Sequence, residues 1–465
     1  MKRIAAALLL AACSEPVEPP PEDKRDAWTA QDGVLVDERG RQRVLRGLNA
    51  RVEGVFDVTF DDGRTALERI PPFGEDDCRF IAEELGMNHL RLPVNWSAIE
   101  PERGNYQSDY VDHILDLAQA CDAHGVATLI DLHQDAYSKH IGEDGAPLWA
   151  IVPPPTELLE GPLTDLEQRR TSGQVMDAFD SFFNDREGVQ QAYADMAAWL
   201  AGRIAGKPGI IGLELMNEPV NIIFEQRLDE FHERVGSAVR KSAPELTLFF
   251  EPNSLRNLTD TADVRTPIPF EDAVYSPHIY VDVFEDGWAS SDVGAIEKSV
   301  GNAIEEANQH HAALYVGEFG HGPDEHGLDY VRACLDIFDA NAISSAWWVY
   351  EEWSQGSWGL YDIGPDGESR GGLRENVADV LARPFPSAIA GKLKTFSYDA
   401  STRTLTISIQ DAIEGVPHEI AIPLRVYPDG IVATCDGAEV EATVEAGRAE
   451  VSCVGSEIVI SAVPR

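Results

Sequence analysis

Eight short apolar runs, each followed by a helical pattern, limit what this chain can fold into. They are RVLRGLN (43–49), HLRLPV (89–94), VATLIDLH (126–133), IIGLELMNE (210–218), LTLFFEP (246–252), AVYSPHIY (273–280), ALYVGEF (313–319) and SSAWWVY (344–350). Amphipathic stretches such as EDDCRFIAEELGM and YVDHILDLAQACDAHG lie between them. In the second, Ile114, Ala118 and Cys121 recur at helical spacing and Gly125 supplies a C-terminal stop. Strands that alternate with helices lie parallel, because each crossover returns the chain to the same end of the sheet. Eight such units predict an α/β fold, a closed (β/α)8 TIM barrel. A doubly wound open sheet is the alternative. No G-x-G-x-x-G follows the first run, which counts against a dinucleotide-binding version.

The pattern changes at ARPFPSAIAG (382–391). Beyond it come only short alternating segments between turn residues, which predict a C-terminal all-β sandwich over 384–465. The barrel is assigned 30–383. Its excess length lies mainly after strand three, from about Lys139 to Asp185, an insertion expected on the catalytic face. It carries the greasy stretch Leu148–Val152, which reads as a lid packed on the barrel rim or as an exposed apolar surface.

The first residues read differently. Lys2 and Arg3 precede an apolar run too short to cross a bilayer, so residues 1–12 are expected to be a signal peptide. Leu10-Ala11-Ala12-Cys13 is similar to a bacterial lipoprotein cleavage box, which implies lipidation at Cys13. Plain secretory cleavage is the alternative. Residues 13–29, rich in Pro and acidic residues, form an expected tether. The expected location is therefore the cell envelope, held by the lipid anchor, or the exterior. Cys435 and Cys453 fall on neighbouring strands and are expected to pair in an oxidising compartment. Cys78, Cys121 and Cys334 fall in helical patterns and read as buried thiols. Eighty acidic against 37 basic residues give a net charge of −43, a field that excludes nucleic acid as a partner. Oligomeric state is left open.

Barrel enzymes build their sites at the C-terminal ends of the strands. Those ends carry Asn49, Arg91, His133 with Asp135, Asn217-Glu218, His278 with Tyr280, Glu318, and Trp348. So many polar groups are costly unless they share one wet pocket. Strands four and seven lie across a barrel of eight, so Glu218 and Glu318 can face each other over a ligand. Two opposed carboxyls are what glycoside hydrolysis needs: one protonates the leaving oxygen while the other attacks the anomeric carbon or activates water. Arg91 and Tyr280 can then serve the attacking carboxylate, Asn217 suits a sugar 2-hydroxyl, and the Trp face suits a pyranose ring. His133, Asp135 and His278 complete the substrate-binding set.

LMNEP on strand four, GEFG on strand seven, RLPVNW on strand two and SPHIY on strand six together resemble glycoside hydrolase family 5, a retaining family on this barrel. The resemblance implies Glu218 as acid/base and Glu318 as nucleophile, with no cofactor or metal. It also implies active-site positions for Arg91, His133, Asn217, His278, Tyr280 and Trp348. IDLHQDAYSKHIGEDGAPLWA and LRLPVNWSAIEPERGNY are similar to the endoglycoceramidases, which also carry a C-terminal sandwich and cleave between oligosaccharide and ceramide. A glycolipid or glycan substrate is thus implied. The NARVEGVFDVTFDDGR stretch departs from that pattern and leaves the head group open. An ordinary family 5 β-glucanase or mannanase and a non-catalytic glycan-binding lipoprotein are the competing expectations.

Overall fold

The structure is a computed structural model that describes residues 28–221, 226–281, 283, 293–353, 358–365 and 369–465. The expected signal peptide, Cys13 and nearly all of the expected tether lie outside the described residues.

All eight apolar runs form strands. Arg46–Asn49, His89–Asn95, Ala127–His133, Ile210–Glu214, Leu248–Phe250, Ala273–Tyr275, Ala313–Phe319 and Ser344–Trp347 pair in parallel, each with its sequence neighbour. The last closes on the first, with Ser345 opposite Arg46 and Trp347 opposite Leu48. The barrel is closed and α/β, and the open-sheet alternative falls. The second strand is buried at all seven residues, as a strand covered on both faces must be. Gly47 permits the close approach of strands one and two, for a Cβ there would lie 2.1 Å from the His89 carbonyl oxygen.

Antiparallel sheets of seven and five strands follow the barrel, and one correction concerns their membership. Three strands from before the barrel, Thr29–Gln31, Val34–Val36 and Gln42–Arg43, belong to the larger sheet. Gln42 pairs with Ile389 and Arg43 with Ala388. The boundary at residue 30 therefore does not separate barrel from sandwich. The tether also ends sooner than residue 29: Trp28 is buried and Thr29 already lies in a strand. Trp28 and Leu35 pack with Leu45, Leu129, Ile211, Phe249 and Ala313, which sit at or near the beginnings of the barrel strands. The N-terminal hairpin thus plugs the mouth opposite the site.

A second correction concerns two of the three cysteines read as thiols. Cys78 and Cys121 form a disulfide, because helices Glu75–Glu83 and Ser108–Asp122 pack together and bring their Cα atoms to 4.9 Å. Cys435 and Cys453 are also bonded. Cys334 is free and buried, and burial pushes its thiol pKa up, away from reactivity.

Candidate active site

Arg91 organises the site. It is fully buried on the second barrel strand, and its guanidinium spends its donors on five side chains. Nε donates to Glu214 (2.6 Å), Nη1 to Asn49 (2.9 Å) and Glu318 (2.8 Å), and Nη2 to Asn217 (2.8 Å) and Glu251 (3.2 Å). Asp131 lies 3.1 Å from Nη2. A planar fork can hold so many fixed acceptors at once. Burial opposes the charge, but the surrounding carboxylates overcome it and raise the guanidinium pKa well above its ordinary value.

The two carboxylates expected to do the chemistry meet here. Glu318 receives Arg91 on Oε1 and the Tyr280 hydroxyl (2.9 Å) on Oε2. Glu218 receives Asn257 Nδ2 (2.7 Å) and His278 Nδ1 (2.8 Å) on Oε1. One oxygen of each, together with a His278 nitrogen, lies within 4.8 Å of the others. Such a close approach suits a double displacement, in which one carboxylate attacks the sugar directly. Burial alone would raise the Glu218 pKa, yet the hydrogen bond and charge of His278 hold it down at about 2. For His278, burial is outweighed by Glu251 and Glu318, which lift the imidazole well above its ordinary value. His278 and Glu218 thus hold between them the proton that a leaving oxygen needs.

The sugar-binding candidates line one side. His133 donates from Nδ1 to Asp131 (2.6 Å), stacks on Trp348 with rings 5.7 Å apart and 10° from parallel, and lies 3.4 Å from Asn217 Nδ2. Burial opposes its charge, and Asp131 raises its pKa to about 10. Asp135 is half-buried and accepts from Arg170 Nη2 (2.7 Å), a residue of the insertion helix Leu166–Arg170. The insertion is therefore moored on the catalytic face. Arg51, from the divergent stretch after strand one, donates to Glu68 (2.5 Å) with its guanidinium carbon 5.8 Å from the Trp348 ring. Among the described residues two trios bring donor atoms within metal-binding reach, His133 with Asp135 and Asp144, and Glu218 with His278 and Glu318. In these trios Asp135 Oδ1 accepts from Arg170, and the two oxygens of Glu318 accept from Arg91 and Tyr280.

The greasy stretch divides. Ile151 and Val152 are buried, whereas Leu148 is 42% exposed and Leu158 44%. Together with Trp149, Pro154 and Pro155 they line a groove of about 400 Å³.

All nine expected substrate and catalytic residues reach this mouth of the barrel. Sequence reasoning missed Gln134, whose Nε2 donates to the carbonyls of Asn217 (2.8 Å) and Glu218 (2.9 Å). It also missed Asn257, Arg170, Glu214 and Glu251. For Glu251 a signal existed: strand five ends FFEP, with the same Glu-Pro that ends strand four.

An opposed, short-spaced carboxylate pair at the strand ends of a (β/α)8 barrel defines a retaining glycoside hydrolase. Residues 63–354 match the model "Cellulase (glycosyl hydrolase family 5)", and residues 383–457 match "Glycoside hydrolase family 5 C-terminal domain". The chain belongs to glycosyl hydrolase family 5. It is similar to endoglycoceramidase I of Rhodococcus hoagii (strain 103S), 25% identical over 88% of this chain and 82% of that protein. Among solved structures it is similar to an endogalactoceramidase, with 26% identity, a TM-score of 0.79 and coverage of 94% of this chain and 99% of the other. A lactosyl-enzyme intermediate of endo-glycoceramidase II from Rhodococcus sp. shares the fold at 23% identity and a TM-score of 0.76, covering 93% and 100%.

Proposed function

We propose that the chain is an endoglycoceramidase-type retaining hydrolase, cutting the β-glycosidic bond between an oligosaccharide and ceramide. One observation carries the reaction: Glu218 and Glu318 face each other within 4.8 Å, each with its own donors. Glu318, oriented by Arg91 and Tyr280, attacks the anomeric carbon. The Glu218–His278 pair gives its proton to the departing ceramide oxygen. The Glu218 carboxylate, its proton source His278 now neutral, then takes a proton from the water that cleaves the glycosyl ester, and the β configuration returns. Asn217 and Trp348 present a hydrogen-bonding edge and a flat face to the sugar.

The substrate class is supported by likeness that runs through barrel and sandwich together, and by the apolar groove around Leu148. A glucanase or mannanase would need only the sugar side. Purified protein assayed on lactosylceramide, cello-oligosaccharide and mannan separates the readings. Cleavage of the glycolipid is expected, and proton NMR in the first minutes should show the β-anomer. An initial α-anomer would overturn the retaining mechanism, and cleavage of cello-oligosaccharide alone would move the substrate to glucan. In the same assay Leu148→Ser should raise KM for the glycolipid and leave an aryl β-lactoside unaffected. Equal losses would remove the groove from the reading.

We also infer export and acylation at Cys13. The basic-then-apolar start and the cleavage-box pattern support this, and the two disulfides suit an oxidising compartment. Cells fed a fatty-acid analogue should label the protein, and Cys13→Ser should lose the label. Absence of label in the unsubstituted protein would end the anchor idea.

A further inference from the structure

Glu251 ends the fifth barrel strand, 3% exposed, and takes no part in the steps above. Its two oxygens nevertheless reach the acid/base from both sides. Oε2 accepts the backbone N–H of Glu218 (3.0 Å). Glu218 needs such a hold, because its φ is 41°, a left-handed conformation that a non-glycine residue adopts at a cost. Oε1 accepts from Arg91 Nη2 and lies 3.2 Å from His278 Nε2. The opposite edge of that ring, Nδ1, bonds the Glu218 carboxylate. One buried carboxyl thus grips the backbone of the acid/base and faces the ring that faces its side chain.

We propose that Glu251 is a positioning residue of the hydrolysis: it pins Glu218 through the main chain and, through its own proton, sets the charge facing His278. The proposal rests on Glu218 being the acid of the reaction. Glu251 is faced by Arg91 from strand two, Glu214 and Glu218 from strand four and His278 from strand six. Asp131 and Glu318 act on it through Arg91 and His278. Burial, against the pull of His278, lifts the Glu251 pKa to about 8. Below that pH the carboxyl is neutral, and of the two carboxyls that lift His278 only Glu318 then supports its charge. Above it, a new anion beside His278 tightens the hold of the ring on its proton, and the His278–Glu218 pair delivers less readily to the leaving oxygen. These groups titrate as a unit.

The test compares Glu251→Gln and Glu251→Ala with the wild type by pH profiles of kcat/KM on lactosylceramide and on an aryl β-lactoside. Gln copies the neutral carboxyl and keeps an acceptor for the Glu218 N–H. It should retain near-normal kcat at pH 6, with the alkaline limb moved up by about one unit on the glycolipid and less on the aryl lactoside, whose leaving group needs little protonation. Ala removes the acceptor and should lower kcat at least about tenfold at every pH. A Gln profile that superimposes on the wild type would overturn the proposal, as would an Ala variant with unchanged kcat. A Gln variant that fails to fold would show that the site needs the anion, and would overturn it too. If the wild type cleaves no glycoside at all, the proposed function falls instead.

Discussion

Glu318→Gln is expected to abolish turnover, lowering kcat by roughly 10⁴-fold or more, as loss of a covalent nucleophile does. The amide keeps the shape of the carboxylate. Its oxygen can still accept from Arg91 Nη1, and its NH2 can face the Tyr280 oxygen, so cooperative unfolding should survive. The charge that attacks the anomeric carbon is gone. Cutting back to Glu318→Ala opens room for azide, which then attacks an aryl β-lactoside from the same face and expels the aryl oxide in a single displacement. The product should be an α-glycosyl azide. Azide added to Glu218→Ala should instead attack an intact glycosyl-enzyme and give the β-azide. Swapped anomers would exchange the two roles, and wild-type rates in both variants would remove both residues from the reaction.

Arg91→Met should cost the fold itself. The guanidinium is the shared counter-charge for Asp131, Glu214, Glu251 and Glu318. Breaking one buried pair costs about 3–5 kcal/mol, against a total stability of about 5–15 kcal/mol. Even with Glu251 protonated near neutral pH, Asp131, Glu214 and Glu318 lose the same partner, so the variant should lack a cooperative urea transition there. Arg91→Lys should do little better, since an ammonium cannot span Asn49, Glu214, Asn217, Glu251 and Glu318 from one point. A Met variant within about 1 kcal/mol of the wild type would mean that the carboxyls neutralise themselves by taking up protons.

The barrel was legible because burial on both faces writes itself as apolar runs. Its catalytic mouth was legible because polar residues there break the pattern at one end of each run. Glu251 escaped although its strand ends in the same Glu-Pro as strand four, because a strand-end Glu reads alike whether it faces water or buried charges. Strand six brings His278 beside it by direct pairing, but only closure of the barrel brings it to Arg91 from strand two. The Cys78–Cys121 bond hid for a similar reason: helical periodicity reports which face is inward but not which helix lies against it. The hairpin at Thr29–Val36 was too short to register as structure, and its role depends on a sheet completed at the far end of the chain.

That sheet imposes an order on biosynthesis. Gln42 leaves the ribosome early, and its partner Ile389 is made 347 residues later, a wait of roughly 20–70 s at ordinary elongation rates. Until then the outer edge of Gln42–Arg43 lacks its partner strand, although the residues that Trp28 and Leu35 cover, the last of them Ala346, are already made. The strand Gln42–Arg43, made before any barrel strand, thus joins its partner only after the last barrel strand has been made.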